Sequence, residues 1–410
     1  MKNIEKTKLK QLRNAKRKKR KKFMMHMKGK RISLELCLIK QMSKMTEKEK
    51  ISFEKKNVLS YRNKMEKIRR GILVKEYKKH KYIFPEKVVT IEKKFGLENG
   101  EIDNFVKNAT QLIDFDAQKL SINIQNCTKI WPSAITLLCS LIQWIDFTER
   151  HCKIKRPIVV ASYSKEDRVN GYLYKSGFFN YIGKSENREV QTGHPHHVIE
   201  IERQYINSNS VLAQKEARLS KLLNDFTKYD KLEIKLFISK VVAEIFGNVQ
   251  EHGIQVKDSG WWFLAQYHSR HGIISINIAD NGIGIKNSLL SGPQKQQIKT
   301  SLGEKWRFDG ELIKYAMNKG VSGAFDARRD KKYGFFHQGH TFVTRGKRRG
   351  NGLMRIRDTC RSLNIPFVII SHYGYIYYDD KGNEKQSTEE HRIFAGTLYH
   401  FDFPVLRSRK

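Results

Sequence analysis

From Lys87 onward the apolar positions alternate between a period of two and a period near 3.6, the marks of strands and helices. Val88–Ile91 reads as a short strand and Glu101–Asp114 as a helix. Leu120, Ile122 and Ile124 lie on one side of the alternating stretch LSINIQNCTKI, a second strand. SAITLLCSLIQWIDFTER, from Ser133, has the spacing of an amphipathic helix, and IVVASY after Pro157 that of a buried strand. DRVNGYLYKSGFFNYIG then predicts a helix capped near Gly177. Together these predict a small α/β domain over 83–185. Residues 186–230 read as a linker with a strand and loop, then an entry helix from Val211 to Phe226. WWFLAQYHS and IISINIAD predict two antiparallel strands turning near Arg270-His271-Gly272. PFVIISHYGYIYYDD is a further hairpin, and TLYHFDFPV a closing strand.

Between these patterns, VVAEIFGNVQEHG (Val241–Gly253) carries two faces if helical. Glu244, Asn248 and His252 stack four residues apart, while Val241, Ile245 and Val249, widened by Val242 and Phe246, form an apolar stripe. A carboxylate one turn from an amide oxygen suits Mg²⁺, which takes hard oxygen ligands and keeps several waters. It also suits proton removal from a nucleophile aligned on a phosphate. The competing reading is an ordinary amphipathic helix with a polar rim. Asp280-Asn281-Gly282-Ile283-Gly284 follows the second predicted strand, and RRGNGLMRIRD (Arg348–Asp358) is a glycine turn opening a helix. Phe394-Ala-Gly-Thr-Leu precedes the closing strand.

In that order these segments resemble the N box, G1 box, G2 box and terminal Gly-Thr strand of the GHKL ATPases. That superfamily includes histidine-kinase ATP domains, type II topoisomerases, mismatch-repair ATPases and heat-shock chaperones. The Glu-x₃-Asn-x₃-His-Gly run is most similar to the anti-sigma-factor serine kinases. The resemblance implies a Bergerat-type α/β sandwich over 231–405, a mixed sheet packed on helices, with an ATP lid at about 288–350. It implies ATP and Mg²⁺ as ligands. Asn248 would ligate the metal, Glu244 would align or activate the nucleophile, and His252 would either line the phosphates or ribose or simply cap its helix. Asp280 would accept the adenine exocyclic N–H, with Gly282 and Gly284 letting the backbone approach the purine. Arg349, Gly350, Gly352 and Leu353 would hold phosphates, and Thr397 would reach adenine through water. The family pattern continues Gly-Leu after Gly-x-Gly-Leu; this chain has Met354-Arg355.

The domain at 83–185 resembles the STAS fold of anti-anti-sigma factors, in the strand–turn–helix at Ile122–Leu141 and the late helix ending Gly-Phe. Where that family carries an Asp-Ser-Ser-Gly phosphorylation site, this chain has Trp131-Pro132-Ser133-Ala134. Ser133 therefore reads as a helix N-cap residue, and the domain as a docking or sensing module for a protein partner.

Charge adds one more expectation. Lys and Arg number 79 against 42 acidic residues, a net charge of +37. The dense run KLKQLRNAKRKKRKKF marks residues 1–82 as a basic, helix-prone arm. With the arginine-rich lid it makes nucleic acid a candidate partner through phosphate contacts; a generally lysine-rich composition is the alternative. No apolar run reaches bilayer length. Five scattered cysteines, at 37, 127, 139, 152 and 360, point to a reducing, cytoplasmic setting. His194, His196 and His197 lack a Cys or carboxylate at ligand spacing and read as a surface loop. No phosphoacceptor His-Glu-x-x-x-Pro helix precedes the ATP segments, and little chain follows the last strand, which disfavours a histidine kinase and a topoisomerase. The expected function is a soluble ATPase or anti-sigma-like protein serine/threonine kinase. The alternative is a nucleotide-binding switch without significant turnover that controls partner or nucleic-acid binding.

Overall fold

The first described elements form parallel pairs. Strand β1 (Phe84–Thr90) lies beside β3 (Ala117–Asn123), and β3 beside β5 (Ile158–Ala161), all parallel, in the order β1-β3-β5. Their side chains alternate, so Val89, Leu120 and Ile122 are buried while Val88 and Val160 face outward. The structure is a computed structural model. It describes residues 84–97, 101–113, 117–152, 158–182, 198–199, 201, 203–204, 209–249, 260–269, 271–291, 294–318, 320–321, 351–387, 391–394 and 396–405. The basic arm at 1–82 and the three histidines at 194–197 lie outside these residues.

The single strand expected at 120–130 is two. Gln125 N bonds the Asn123 side-chain oxygen at 3.0 Å and Cys127 N bonds the Ile124 carbonyl at 2.9 Å, a tight turn set by Asn123. After it, β4 (Cys127–Ile130) pairs in parallel with β2 (Lys93–Phe95). Helix α1 (Ile102–Ile113) precedes β3, and α2 (Pro132–Cys152) follows β4. Helix α3 (Asp167–Lys175) ends at Ser176, with Gly177 at φ +80 before the short α4 (Phe178–Tyr181).

A second, larger sheet is built from hairpins. Strands β8 (Trp261–His268) and β9 (Ile273–Asp280) pair antiparallel from Trp261 opposite Asp280 to His268 opposite Ile273. β13 (Thr397–Pro404) lies on the other side of β9, followed by β10 (Phe367–Ser371), β11 (Gly374–Tyr378) and β12 (Glu384–Gln386). The short β6 (Val198–Ile199) and β7 (Arg203–Gln204) pair with β8. A mixed sheet is expected from the resemblance. Every described pairing in this sheet is antiparallel instead, because hairpins and return strands join it rather than βαβ crossovers.

Both faces of this sheet are covered. Phe263, Ala265, Ile274, Ile276, Ile278, Tyr399, Phe401 and Phe403 belong to one core. They share it with residues of α5 (Asn209–Phe226), α6 (Lys231–Phe237), α7 (Ala243–Asn248) and α11 (Gly352–Ser362). The alternate positions Trp262, Leu264, Ala279, Val368, Ile370 and Leu398 belong to the other core, with Leu120, Ile122, Leu137 and Leu138 from the first lobe. Helix α2 crosses β8 and β9. It is expected to be amphipathic; instead every residue from Trp131 to Leu141 is buried, as in a helix covered on all sides. At one end of this contact Trp131 lies 4.2 Å from the His268 ring, tilted at 42°, with Lys129 Nζ 4.0 Å from the centre of the indole.

Beyond Leu398 the same sheet face turns polar. Ser275 Oγ donates to Asp402 Oδ1 at 2.6 Å, His400 Nε2 sits 3.1 Å from Asp402 Oδ2, and His400 Nδ1 is 3.1 Å from Asn277 Oδ1. All four residues are buried. No described helix is long and apolar enough to cross a membrane.

Candidate functional site

Asp230 starts α6 with a capping box: its carboxylate accepts from Glu233 N at 2.7 Å, while the Glu233 side chain accepts from Asp230 N at 2.9 Å. One π-helical turn, Ile238–Val242, joins α6 to α7. Such turns shift the register of the helix beyond them and recur at functional sites. Val241, Val242, Ile245, Phe246 and Val249 are all buried, so the apolar stripe faces the sheet as its spacing predicts. Glu244 and Asn248 lie on the opposite, half-exposed side, one turn apart.

The N-terminus of α11 meets that side. A Cβ built on Gly352 would lie 3.2 Å from Glu244 Oε2 and 3.6 Å from Asn248 Oδ1. The first amides of a helix are unpaired donors with a partial positive charge, so an anion is favoured at this point. Asn351 precedes the helix without a side-chain cap; its backbone carbonyl accepts from Arg355 N at 2.9 Å, and its side-chain oxygen accepts from Gly320 N at 3.0 Å. Helical side chains lean toward their own N-terminus, and the Arg355 guanidinium does so: Nη1 bonds Glu244 Oε1 at 2.5 Å. Leu353 packs at the rim of the neighbouring core.

Asp280 is the last residue of β9 and is 6 % exposed. In register it sits between Trp261 and Thr397, the first residue of β13. Its Oδ1 accepts from Gly282 N at 2.7 Å, which folds the loop back over the strand end. Asn281 is pinned by Gly260 N, which donates to its Oδ1 at 3.0 Å. Its Nδ2 is buried with no hydrogen-bond partner among the described residues.

Two close approaches hold this end together. Gly396 passes so near the Asp280 peptide that a Cβ would fall 1.8 Å from the Asp280 carbonyl oxygen. Gly284, at φ +71, lies against His372, whose Cδ2 would be 2.1 Å from a Cβ there. His372 Nε2 is 2.9 Å from the Ile283 carbonyl, and Ile285 N donates to Ser371 Oγ at 2.9 Å. The β10–β11 turn thus clamps the loop that follows Asp280.

Tyr399 joins the two halves. Its phenol lies within the electrostatic reach of both the Asn248 side chain and the Asp280 charge. Burial pushes the phenol above its ordinary range, Asp280 adds to the rise, and the Asn248 side chain opposes it. Glu244, Asn248, Gly352 and Arg355 therefore form one cluster, and Asp280, Gly282, Gly284 and Thr397 a second, bridged by Tyr399. His252, Arg349 and Gly350 lie outside the described residues. Sequence reasoning missed Tyr399, His372 and Arg355. Tyr399 occupies an apolar-phase position of an alternating strand, and nothing in a strand pattern marks one aromatic as functional. The signal for Arg355 was the break in the Gly-Leu pattern.

In the segment expected as a lid, α8 (Gly284–Ser291), α9 (Lys295–Leu302), a 3₁₀ turn at Gly303–Arg307 and α10 (Asp309–Ala316) come first. Helix α10 packs on β11, where Gly374 approaches the Gly310 backbone. Residues 322–350 lie outside the described residues.

Ser133 is fully buried, and its Oγ accepts from Leu97 N at 2.7 Å. Helix α2 starts at Pro132, so Ser133 lies inside its first turn and not at the expected N-cap position, and its hydroxyl ties the Leu97 backbone to the helix instead. No group of three or more His, Cys, Asp or Glu side chains among the described residues has the arrangement of a metal site. No family model, no curated protein and no solved structure matches this chain.

Proposed function

We propose that this chain binds ATP with Mg²⁺ in a GHKL-type site, within a Bergerat-type fold, and acts as an ATPase or protein serine/threonine kinase. The observation that carries this reading is the meeting of a glycine-started helix N-terminus with Glu244 and Asn248, one tyrosine away from a buried strand-end aspartate. The donor set fits the ligands. Asn248 Oδ1 and Glu244 are hard oxygens few enough to leave Mg²⁺ its waters and phosphates. The unpartnered Asn281 Nδ2 offers a buried donor beside Asp280, and the α11 amides suit phosphates.

In this reading the chain's own residues divide the work. Asp280 selects the base through its carboxylate. The amides at Gly352 hold phosphate oxygens, Asn248 holds the metal, and Glu244 aligns a water or hydroxyl and takes its proton. Bound magnesium supplies charge neutralisation on the phosphates.

A second reading, a nucleotide switch with little turnover, is favoured by the Arg355–Glu244 ion pair, which occupies the carboxylate the chemistry needs. In either reading the STAS-like lobe is the surface for a protein partner, and the basic segments outside the described residues are the surface for a polyanion.

The test is calorimetry with Mg-ATP on wild type and Asp280→Asn, followed by phosphate release. Asn keeps an oxygen for Gly282 N but turns the other group into a donor facing the adenine amine. Binding that weakens at least tenfold in the variant supports the pocket, and turnover then separates enzyme from switch. Wild type that binds no adenine nucleotide overturns the reading.

A further inference from the structure

The Arg355–Glu244 pair has a charge problem to solve, and its solution assigns Arg355 a role. Glu244 is half-buried, its side chain 17 % exposed, and its Oε2 lies close to the start of α11. A carboxylate is favoured there for the same reason a phosphate is: both are anions at a helix N-terminus. If the proposed site takes a triphosphate, the terminal phosphate and Glu244 arrive at neighbouring positions with like charge. Two like charges that close repel at a protein surface, where the effective dielectric is well below that of water. Bound magnesium would offset part of that repulsion on the phosphate side; a cation on the carboxylate side offsets the rest.

Arg355 stands where that counter-charge is needed. It is on the first turn of α11, its guanidinium already leans toward the helix start, and only Nη1 is used on Glu244 Oε1. A guanidinium presents five donors in a planar fork and can hold two anions at once. Its side chain is 24 % exposed, so the fork is open on one side. Met354-Arg355 stand where the family pattern has Gly-Leu, and neither Gly nor Leu can supply this charge.

We infer that Arg355 bridges Glu244 and the terminal phosphate of the nucleotide, so that this side chain helps the site discriminate ATP from ADP. The inference rests on the nucleotide-binding reading above. Before nucleotide arrives, Arg355 holds Glu244 alone. With a terminal phosphate present, the fork spans both anions and fixes the carboxylate beside the phosphate. Adenosine diphosphate has no terminal phosphate to engage it.

The experiment is a double-mutant cycle on the full chain, measured by calorimetry with Mg-ADP and with a non-hydrolysable ATP analogue. Arg355→Ala is expected to weaken the analogue at least tenfold and to leave ADP within about twofold. ADP binding also reports that the variant is folded. Adding Glu244→Gln to Arg355→Ala removes the like-charge repulsion and is expected to restore most of the lost affinity. Arg355→Lys keeps the charge but not the fork, and should recover only part. A purely structural arginine would shift both ligands equally, and Glu244→Gln would rescue neither. Equal losses for analogue and ADP, or no rescue, overturn the inference while leaving the site intact. Wild type that binds neither ligand overturns the nucleotide reading itself.

Discussion

At the scale of single residues, the site depends on where backbone passes backbone. Gly396 is the sharpest case. Its missing Cβ would meet the Asp280 carbonyl oxygen at 1.8 Å and Asn281 Cα at 2.7 Å, main-chain atoms that cannot rotate away. Gly396→Ala should push β13 off β9 at the strand end that carries Asp280 and Thr397. The expected cost is at least the roughly 1–3 kcal/mol of ordinary overpacking, with nucleotide affinity lost alongside. Gly272 supplies the contrast. It has φ +61 but nothing within 4 Å of a Cβ, so Gly272→Ala should cost only about 1–2 kcal/mol for the left-handed backbone. Thermal melts of both variants check this; equal shifts would mean that contact at Gly396 relaxes freely. The glycines also show how a second demand on a residue stays hidden from its local sequence. Gly284 stands out in sequence as a glycine that lets a purine approach. In the structure, His372 and Ser371 crowd it from 88 and 87 positions downstream in the chain, a contact that no local pattern encodes.

At the scale of elements, periodicity was the readable part of the sequence. The β8–β9 hairpin and the Glu244 helix form where their apolar spacing places them. The break between β3 and β4 was not readable, since Ile124 keeps the alternation while the Asn123 side chain turns the chain. Nor was the polar patch on β9 and β13. Ser275, Asn277, His400 and Asp402 fall on alternate positions that an ordinary two-faced sheet gives to solvent, yet all are buried. Burial alone raises the Asp402 carboxyl, but His400 beside it, hydrogen bonds from His400 and Ser275, and His268 hold it below the usual carboxylate range. A carboxyl lowered on folding adds stability above its unfolded value of about 4 and loses it as pH falls through the folded value. Asp402→Asn should therefore destabilise at pH 7 by about 3 kcal/mol, the order found when one partner of a buried pair is removed. Below pH 4 the gap between variant and wild type should narrow. Melting temperatures from pH 7 to pH 2.5 measure it, and parallel curves would show that Asp402 contributes no acid-labile stability.

At the scale of the whole molecule, the chain reads in sequence as a STAS-like domain and an ATP-binding domain joined by a linker, and the structure makes them lean on one another. Trp262, Leu264, Val368, Ile370 and Leu398 on the large sheet share a core with Leu120, Ile122, Leu137 and Leu138 of the first lobe. Helix α2, buried on all sides over Trp131–Leu141, lies across β8 and β9. A strand pattern cannot reveal this, because a face buried by a helix of another lobe and one buried by its own look alike. The consequence is testable by truncation. A fragment from residue 186 onward keeps every described residue of the candidate site but uncovers those five side chains. At roughly 1.5–3 kcal/mol each, their exposure costs on the order of 10 kcal/mol, as much as the entire net stability of a typical domain. The fragment should be insoluble or bind the dye ANS as a loosely packed state, and the full chain should melt in one transition across residues 84–405. A fragment that is soluble, melts cooperatively and binds nucleotide as the full chain does would mean that the shared core is a docking contact between two self-sufficient domains. If the fragment fails, the first lobe is part of the scaffold that fixes Asp280 and Tyr399, and a partner engaging that lobe acts on the site through the sheet itself.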